Sequence, residues 1–271
     1  MYCDGEGLTE PSGMCWQGYY CPDSEFTETP RPSGFECTTG HYCLNGTADP
    51  IPCDPGYYQP TEQSIDCDPC PEGYYCMYNT TIPVICPAYH YCPEMSAFPT
   101  LCPNGTYTED HIEGLAAPEN CELCPAGKYC TDGAVTGDCS AGYWCRLGSP
   151  TPFPQNNGTD CGQDYLGELC PFGYYCPEGT LEPQNCPAGE VTGLMGAASI
   201  NQCDVCPAGY YCPDILPVLC PPGDYCPAAS DAPTPCPERS YNPIAGADVL
   251  LCLVCVVLEW TTERGVFLQV A

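Results

Sequence analysis

The sequence predicts small disulfide-rich repeats in tandem, with little regular secondary structure beyond turns and short β bridges, strung into an elongated rod. Three observations carry that expectation. Cysteine supplies 29 of 271 residues, and Pro and Gly add 34 and 28. Leu, Ile, Val and Phe together number only 42, twelve of them in the last 23 residues. A chain so poor in large apolar side chains, with a net charge of −30, would remain unfolded if burial alone had to order it. Cross-linking must replace the missing core, and the cysteine density belongs to an oxidising, extracellular or cell-surface compartment. The third observation is periodic cysteine spacing.

The repeated unit is C-x5-C. It occurs nine times, at Cys15/Cys21, Cys37/Cys43, Cys70/Cys76, Cys86/Cys92, Cys124/Cys130, Cys139/Cys145, Cys170/Cys176, Cys206/Cys212 and Cys220/Cys226. An aromatic residue always precedes the second cysteine, and glycine holds the middle of all but one, where Tyr89 stands. Pro follows the first cysteine in six, giving a consensus C-P-x-G-Y-Y-C. This is turn chemistry, since proline presets its own φ and glycine accepts a positive one.

A second element alternates with the first. Four cysteine pairs 14 to 19 positions apart, Cys53/Cys67, Cys102/Cys121, Cys186/Cys203 and Cys236/Cys252, read as long disulfide loops. Between them the short units group as tetrads: Cys15, Cys21, Cys37 and Cys43; Cys70, Cys76, Cys86 and Cys92; Cys124, Cys130, Cys139 and Cys145; Cys206, Cys212, Cys220 and Cys226. That leaves Cys3, Cys161, Cys170, Cys176 and Cys255 unassigned, an odd number, so at least one thiol pairs between chains or stays free. Spacing alone leaves the pairing within a tetrad open among three connectivities. The stretch after Cys145 breaks the rhythm, with Phe153 where a cysteine is expected, which reads as a lost disulfide.

These spacings divide the chain into a partial module at 1–14 and cysteine-rich repeats at 15–67, 70–121 and 206–252. A degenerate repeat lies at 124–169, a short one at 170–203, and a non-repeat tail at 253–271. Residues 256–271 abandon the motif and read as a misjoined gene model, with a capping tail as the alternative. The first five residues have neither the basic nor the apolar region of a signal peptide, so the chain reads as a fragment. The one apolar run, Val249 to Leu258, is about half the length of a membrane span, and no span is expected in this chain.

The spacing C-x2-C-x5-C, preceded by a loop that opens C-P-x-G-x-Y, resembles the cysteine-rich repeats of the tumour-necrosis-factor-receptor and ephrin-receptor (EGF-like) type. The resemblance covers residues 3–255. It implies a closed long loop, Cys53 to Cys67, followed by interlocked bridges Cys70 to Cys86 and Cys76 to Cys92. The x5 gap is longer than in the receptors, and a local Cys70 to Cys76 loop is the rival. Long C-P-x-G-Y-Y-C arrays look most like surface proteins of protists and simple animals, including proteins of flagellar hairs (mastigonemes), which implies an extracellular fibre component.

Other chemistry finds little purchase. The 35 acidic against 5 basic residues disfavour nucleic acid as a partner. The C-x2-C pairs lie too far apart to converge on zinc and lack a thioredoxin-like setting, so they read as structural. His41 and His90 share one slot of the repeat, and His111 stands in no catalytic motif, so the chain reads as no enzyme. No cofactor is expected, although the carboxylates would allow weak calcium binding. Sequons at Asn45, Asn79, Asn104 and Asn157 predict N-linked glycans, and Thr-Pro clusters add O-linked sites. The expectation is a structural subunit of an extracellular glycoprotein filament or surface fibre that self-associates. The alternative is the ligand-binding or adhesion ectodomain (stalk) of a cell-surface receptor.

Overall fold

A computed structural model describes residues 1–22, 27–155 and 166–248, and the backbone of 253–254. The described residues form no α-helix. They hold two-residue antiparallel strand pairs in series, with somewhat longer strands at Lys128–Thr131, Ala134–Asp138, Tyr143–Cys145 and Gly167–Leu169.

The building block is a seven-residue turn unit. Cys70 to Cys76 illustrates it, with Cys70 at position one and Cys76 at position seven. The N–H of position five donates to the carbonyl of position two, as Tyr74 does to Pro71 and Tyr57 to Asp54. The third residue of this β-turn has positive φ, as a type II turn requires. Gly73 (φ 79°) fills that position here, as does Gly56 (φ 91°) in its own unit. Glycine occupies it in every unit but two, where Tyr89 (φ 70°) and Arg239 (φ 66°) adopt the same left-handed turn.

Positions five and six leave the turn as a two-residue strand. It pairs with the two residues before the next unit's first cysteine: Tyr74 opposite Ile85 and Tyr75 opposite Val84, then His90 opposite Leu101 and Tyr91 opposite Thr100. The turn residue is then gripped twice by the following unit. The Gly73 N–H donates to the Cys92 carbonyl, and the Gly73 carbonyl accepts from the Cys86 N–H. The same pair of bonds joins Gly56 to Cys76 and Cys70, Gly127 to Cys145 and Cys139, and Gly209 to Cys226 and Cys220.

A second turn follows position seven in many units, and its hydroxyl residue bonds back across it. Ser96 Oγ donates to the Pro93 carbonyl at 2.6 Å and Ser230 Oγ to that of Pro227 at 2.6 Å. Its third residue is again left-handed: Met95 (φ 64°) and Ala229 (φ 66°). The carbonyl of that residue packs on the turn glycine two units earlier, Met95 on Gly56 and Ala229 on Gly189.

The chain divides into two compact units. One comprises Met1–Cys139 with Cys145–Glu168, the other Ser140–Trp144 with Leu169 onward. Within each, the hydrogen bonds described join a turn unit to its sequence neighbours, as in repeat proteins generally. In the second unit Gly142 is gripped by Cys176 and Cys170 in the usual way, so these two turn units are direct neighbours. Phe153, where the sequence expects a cysteine, is exposed.

The interior is sulfur. Among the described residues the buried apolar side chains are half-cystines together with Trp144, Ala197, Ala247, Pro32 and Pro154, whereas Ile, Val, Leu and Phe side chains are exposed or half-buried. Trp144, packed with Cys170, Cys176 and Tyr174, makes the one cluster that resembles a conventional core among the described residues.

Two glycines separate turn strain from packing. A Cβ on Gly56 would stand 2.5 Å from the Met95 carbonyl oxygen, whereas one on Gly223 (φ 96°) meets nothing within 4 Å. Gly223→Ala should cost about 1–2 kcal/mol of left-handed strain. Gly56→Ala should cost more, because backbone must also shift. Thermal unfolding of the oxidised variants measures the difference, and equal losses would remove the packing claim.

Candidate functional site: the cystine ladder and its exposed loops

Every short unit closes on itself. Disulfides join Cys15 to Cys21, Cys37 to Cys43, Cys70 to Cys76, Cys86 to Cys92, Cys124 to Cys130 and Cys139 to Cys145. Cys206 to Cys212 and Cys220 to Cys226 complete the set among the tetrads. The interlocked pairing implied by the receptor resemblance, Cys70 to Cys86 and Cys76 to Cys92, is therefore corrected to local rings. The reason is geometric. The left-handed turn reverses the chain inside the unit and brings positions one and seven to a Cα separation of 5.8 Å for Cys70 and Cys76, inside the range a disulfide spans. Cys170 and Cys176, left unassigned by the sequence, are a ninth ring of the same kind.

The long loops close as Cys53–Cys67, Cys102–Cys121 and Cys186–Cys203. Cys236 is also disulfide-bonded. Its expected partner Cys252, together with Cys161, Cys255 and residues 256–271, lies outside the described residues. Cys3 is a free thiol, half-buried, and the adjacent Tyr2 pairs with Gly13 much as a position-six tyrosine would.

The long loops also contain turn units that cysteine counting misses. Gln59, Thr108, Thr192 and Asn242 sit at position seven, and all four are buried. Each side chain hydrogen-bonds where a half-cystine would otherwise close the ring. The Gln59 amide donates to the Asp66 carbonyl at 2.8 Å and accepts from the Thr61 hydroxyl at 2.9 Å. Thr108 Oγ1 accepts the Tyr89 N–H at 2.7 Å, and Thr192 Oγ1 accepts from Leu194 N–H at 3.2 Å. Asn242 donates to the Asp224 carbonyl at 2.8 Å. For Gln59 and Thr108 the legible signal was C-x-x-G-x-Y followed by a polar residue, whereas Val191 and Arg239 break it before Thr192 and Asn242.

The histidines serve local structure. Nδ1 of His90 lies 2.8 Å from the Ala88 carbonyl and Nδ1 of His41 3.0 Å from that of Thr39, while His111 stands in the open 3.4 Å from Glu109. Among the described residues no three His, Cys, Asp or Glu groups gather as metal ligands. A cavity of about 210 Å³ lies beside Gly173, Cys186 and Ile215, and Asp214 is the one charged residue lining it. Asp110 accepts a 2.6 Å hydrogen bond from the Tyr89 hydroxyl and so raises its pKa; a similar bond to Glu122 raises that of Tyr107.

Three of the four sequon asparagines are described, and all three are exposed. Asn157 lies outside the described residues. Asn45 and Asn104 each occupy the second residue of a turn, and the hydroxyls of Thr47 and Thr106 donate back to Leu44 and Pro103 at 2.8 and 2.7 Å. Asn79 is different, being itself the left-handed residue (φ 59°).

No protein-family profile matches the chain. A stretch of 87 residues is 32% identical to part of the ABC-type transporter claG of Penicillium crustosum, covering 28% of this chain and 12% of the transporter. The chain thus spans about an eighth of that relative's length. No helix among the described residues is long and apolar enough to cross a membrane. The molecule is a cysteine-rich repeat protein, built from tandem disulfide-closed turn units.

Two tests address the polar units. Thr108→Val leaves the Tyr89 N–H without its acceptor and should cost about 1–3 kcal/mol, with Thr108→Ser close to wild type in the same chemical unfolding assay. Tyr89 holds its proton more tightly in the folded chain. Its contribution to stability is therefore full below the ordinary tyrosine pKa and is lost as pH rises through the raised one. In Asp110→Asn the NMR titration of Tyr89 should move down toward the ordinary value; an unchanged midpoint would remove Asp110 as the cause.

Proposed function

We propose that this chain is an extracellular structural protein, a subunit of a glycoprotein filament or surface fibre whose mechanical continuity comes from the disulfide ladder. The observation that supports this reading is the bonding pattern. Nine turn units are closed by their own bridge, the others hold a buried polar side chain in its place, and units are hydrogen-bonded in series, so tension is carried by short linked units along the chain. Disulfides of this density persist outside reducing compartments. Sequons at Asn45, Asn79, Asn104 and Asn157 fit an N-glycosylated surface, with the Thr-Pro clusters as O-linked sites. On this reading the chain is not an enzyme and needs no cofactor. Its principal partner is another copy of itself.

A second reading places the array as the ectodomain of a membrane protein. The similarity of 87 residues to part of a transporter favours it, since such a stretch then occurs within a membrane protein. The two readings separate experimentally. Electron microscopy of native extracellular material, with non-reducing peptide mapping of the same preparation, should find regular fibres and a bridge between chains through Cys3, Cys161 or Cys255. Single copies on a membrane, with every bridge internal, would overturn the filament and leave the ectodomain.

A further inference from the structure

The loop that links the turn units at Cys70 and Cys86 exposes a run of apolar side chains. Met77, Tyr78, Ile82, Val84 and Ile85 all lie open to solvent, Tyr78 at 62% and Ile82 at 74% exposure. Exposed apolar side chains gathered in one loop call for an occupant. The sequon Asn79-Thr80-Thr81 sits in the middle of this run.

The three described sequons differ in the state of their third residue, the threonine whose hydroxyl defines the motif. In Asn45-Gly46-Thr47 and Asn104-Gly105-Thr106 that hydroxyl closes a turn, bonded to Leu44 and Pro103. Folding therefore locks both motifs. In the third, Thr80 takes the turn-closing role, its hydroxyl 2.7 Å from the Met77 carbonyl. That displaces Thr81 beyond the turn, where it is exposed and makes no side-chain hydrogen bond. Asn79 keeps its backbone fixed through its N–H, which donates to the Cys53 carbonyl at 3.0 Å.

We propose that Asn79 carries an N-linked glycan, that the third-position threonine of its sequon, Thr81, stays available after the turn units fold, and that the glycan covers the apolar loop from Met77 to Ile85. This rests on the extracellular reading given above. The attachment is an amide glycosylation: Asn79 Nδ2 bonds to the sugar's anomeric carbon, the lipid-linked diphosphate donor leaves, and the amide proton goes to solvent. The attached oligosaccharide is bulky and solubilising. It hangs from a residue flanked on both sides by the side chains it would cover.

Asparagine also suits a left-handed position for its own sake, so the test must keep the turn intact. Thr81→Ala removes the sequon while leaving Asn79, Thr80 and their hydrogen bonds in place. Asn79→Gly removes the attachment atom and keeps the left-handed backbone. Both should be secreted by eukaryotic cells, with wild-type chain as reference. Deglycosylation in water enriched in the heavy oxygen isotope, with peptide mass spectrometry, should convert Asn79 to labelled aspartate in the wild type at higher occupancy than Asn45 or Asn104. Both variants should lose that mark, and should bind an apolar dye several-fold more strongly and self-associate at lower concentration.

An unmodified Asn79 beside modified Asn45 or Asn104 would overturn the proposal and leave the extracellular reading standing. So would a modified Asn79 whose loss changes neither dye binding nor association. Absence of modification at every sequon, with the cysteines reduced in cells, would sink the extracellular reading itself.

Discussion

The left-handed residue at the centre of each turn unit is the constraint from which the rest of this structure follows. With φ near +80° the chain reverses within seven residues, and three results come from that one reversal. Positions one and seven meet, so a disulfide can close between neighbours in sequence. Both polar groups of the turn peptide point out of the ring, toward the unit that follows. Removing the side chain from that position also lets the backbone of a later unit approach, as Met95 approaches Gly56. Tyr89 and Arg239 hold the same conformation without glycine's freedom. Tyr89 is secured through its N–H by Thr108 and through its hydroxyl by Asp110.

A bridge that closes so small a ring limits the unfolded chain modestly, about 2.4 kcal/mol for seven residues by the loop-entropy relation. No single bridge orders much chain. The effect accumulates because each ring presents a prepared edge to its neighbour, and the hydrogen bonds between rings then form between groups already fixed. Gln59, Thr108, Thr192 and Asn242 show that the ring and the bridge are separable. Where position seven is polar, the turn and its outward bonds persist, and the freed cysteine reaches forward instead to close a longer loop. The alternation of short and long bridges is a choice made at one position of one motif.

Much of the turn unit was legible in the sequence because it is written in cysteine, glycine and proline, whose roles are local. The C-x5-C spacing, the middle glycine and the aromatic at position six each correspond to a feature of the ring. The pairing was not legible from counting, since four cysteines admit three connectivities. It could have been reached from the turn, because a positive φ at the middle position already brings Cys70 and Cys76 together. The polar units were hidden for a different reason: a pattern keyed on cysteine cannot register Gln59 or Asn242 in its place. Packing of one unit on the second unit after it leaves an uneven mark, because it is made mostly by backbone carbonyls: Gly114, Gly148, Gly196 and Gly246 supply it in some units, Met95 and Ala229 in others.

A sulfur interior also explains the surface. In an ordinary domain, leucine and isoleucine are withdrawn because a common core exists to receive them. Here the space between adjacent rings is filled by half-cystines, and Leu123, Phe172 or Leu219 have nowhere to go. Exposed apolar side chains are then a consequence of the architecture, and the chain must remain soluble by other means. The 35 carboxylates are one such means, because repulsion between copies discourages unspecific contact. A glycan on the loop at Asn79, as proposed above, would be another. The same absence of a shared core makes the number of units nearly free, since adding one changes the surroundings of the nearest two units on each side alone. A protein built in this way can vary in length without renegotiating its interior.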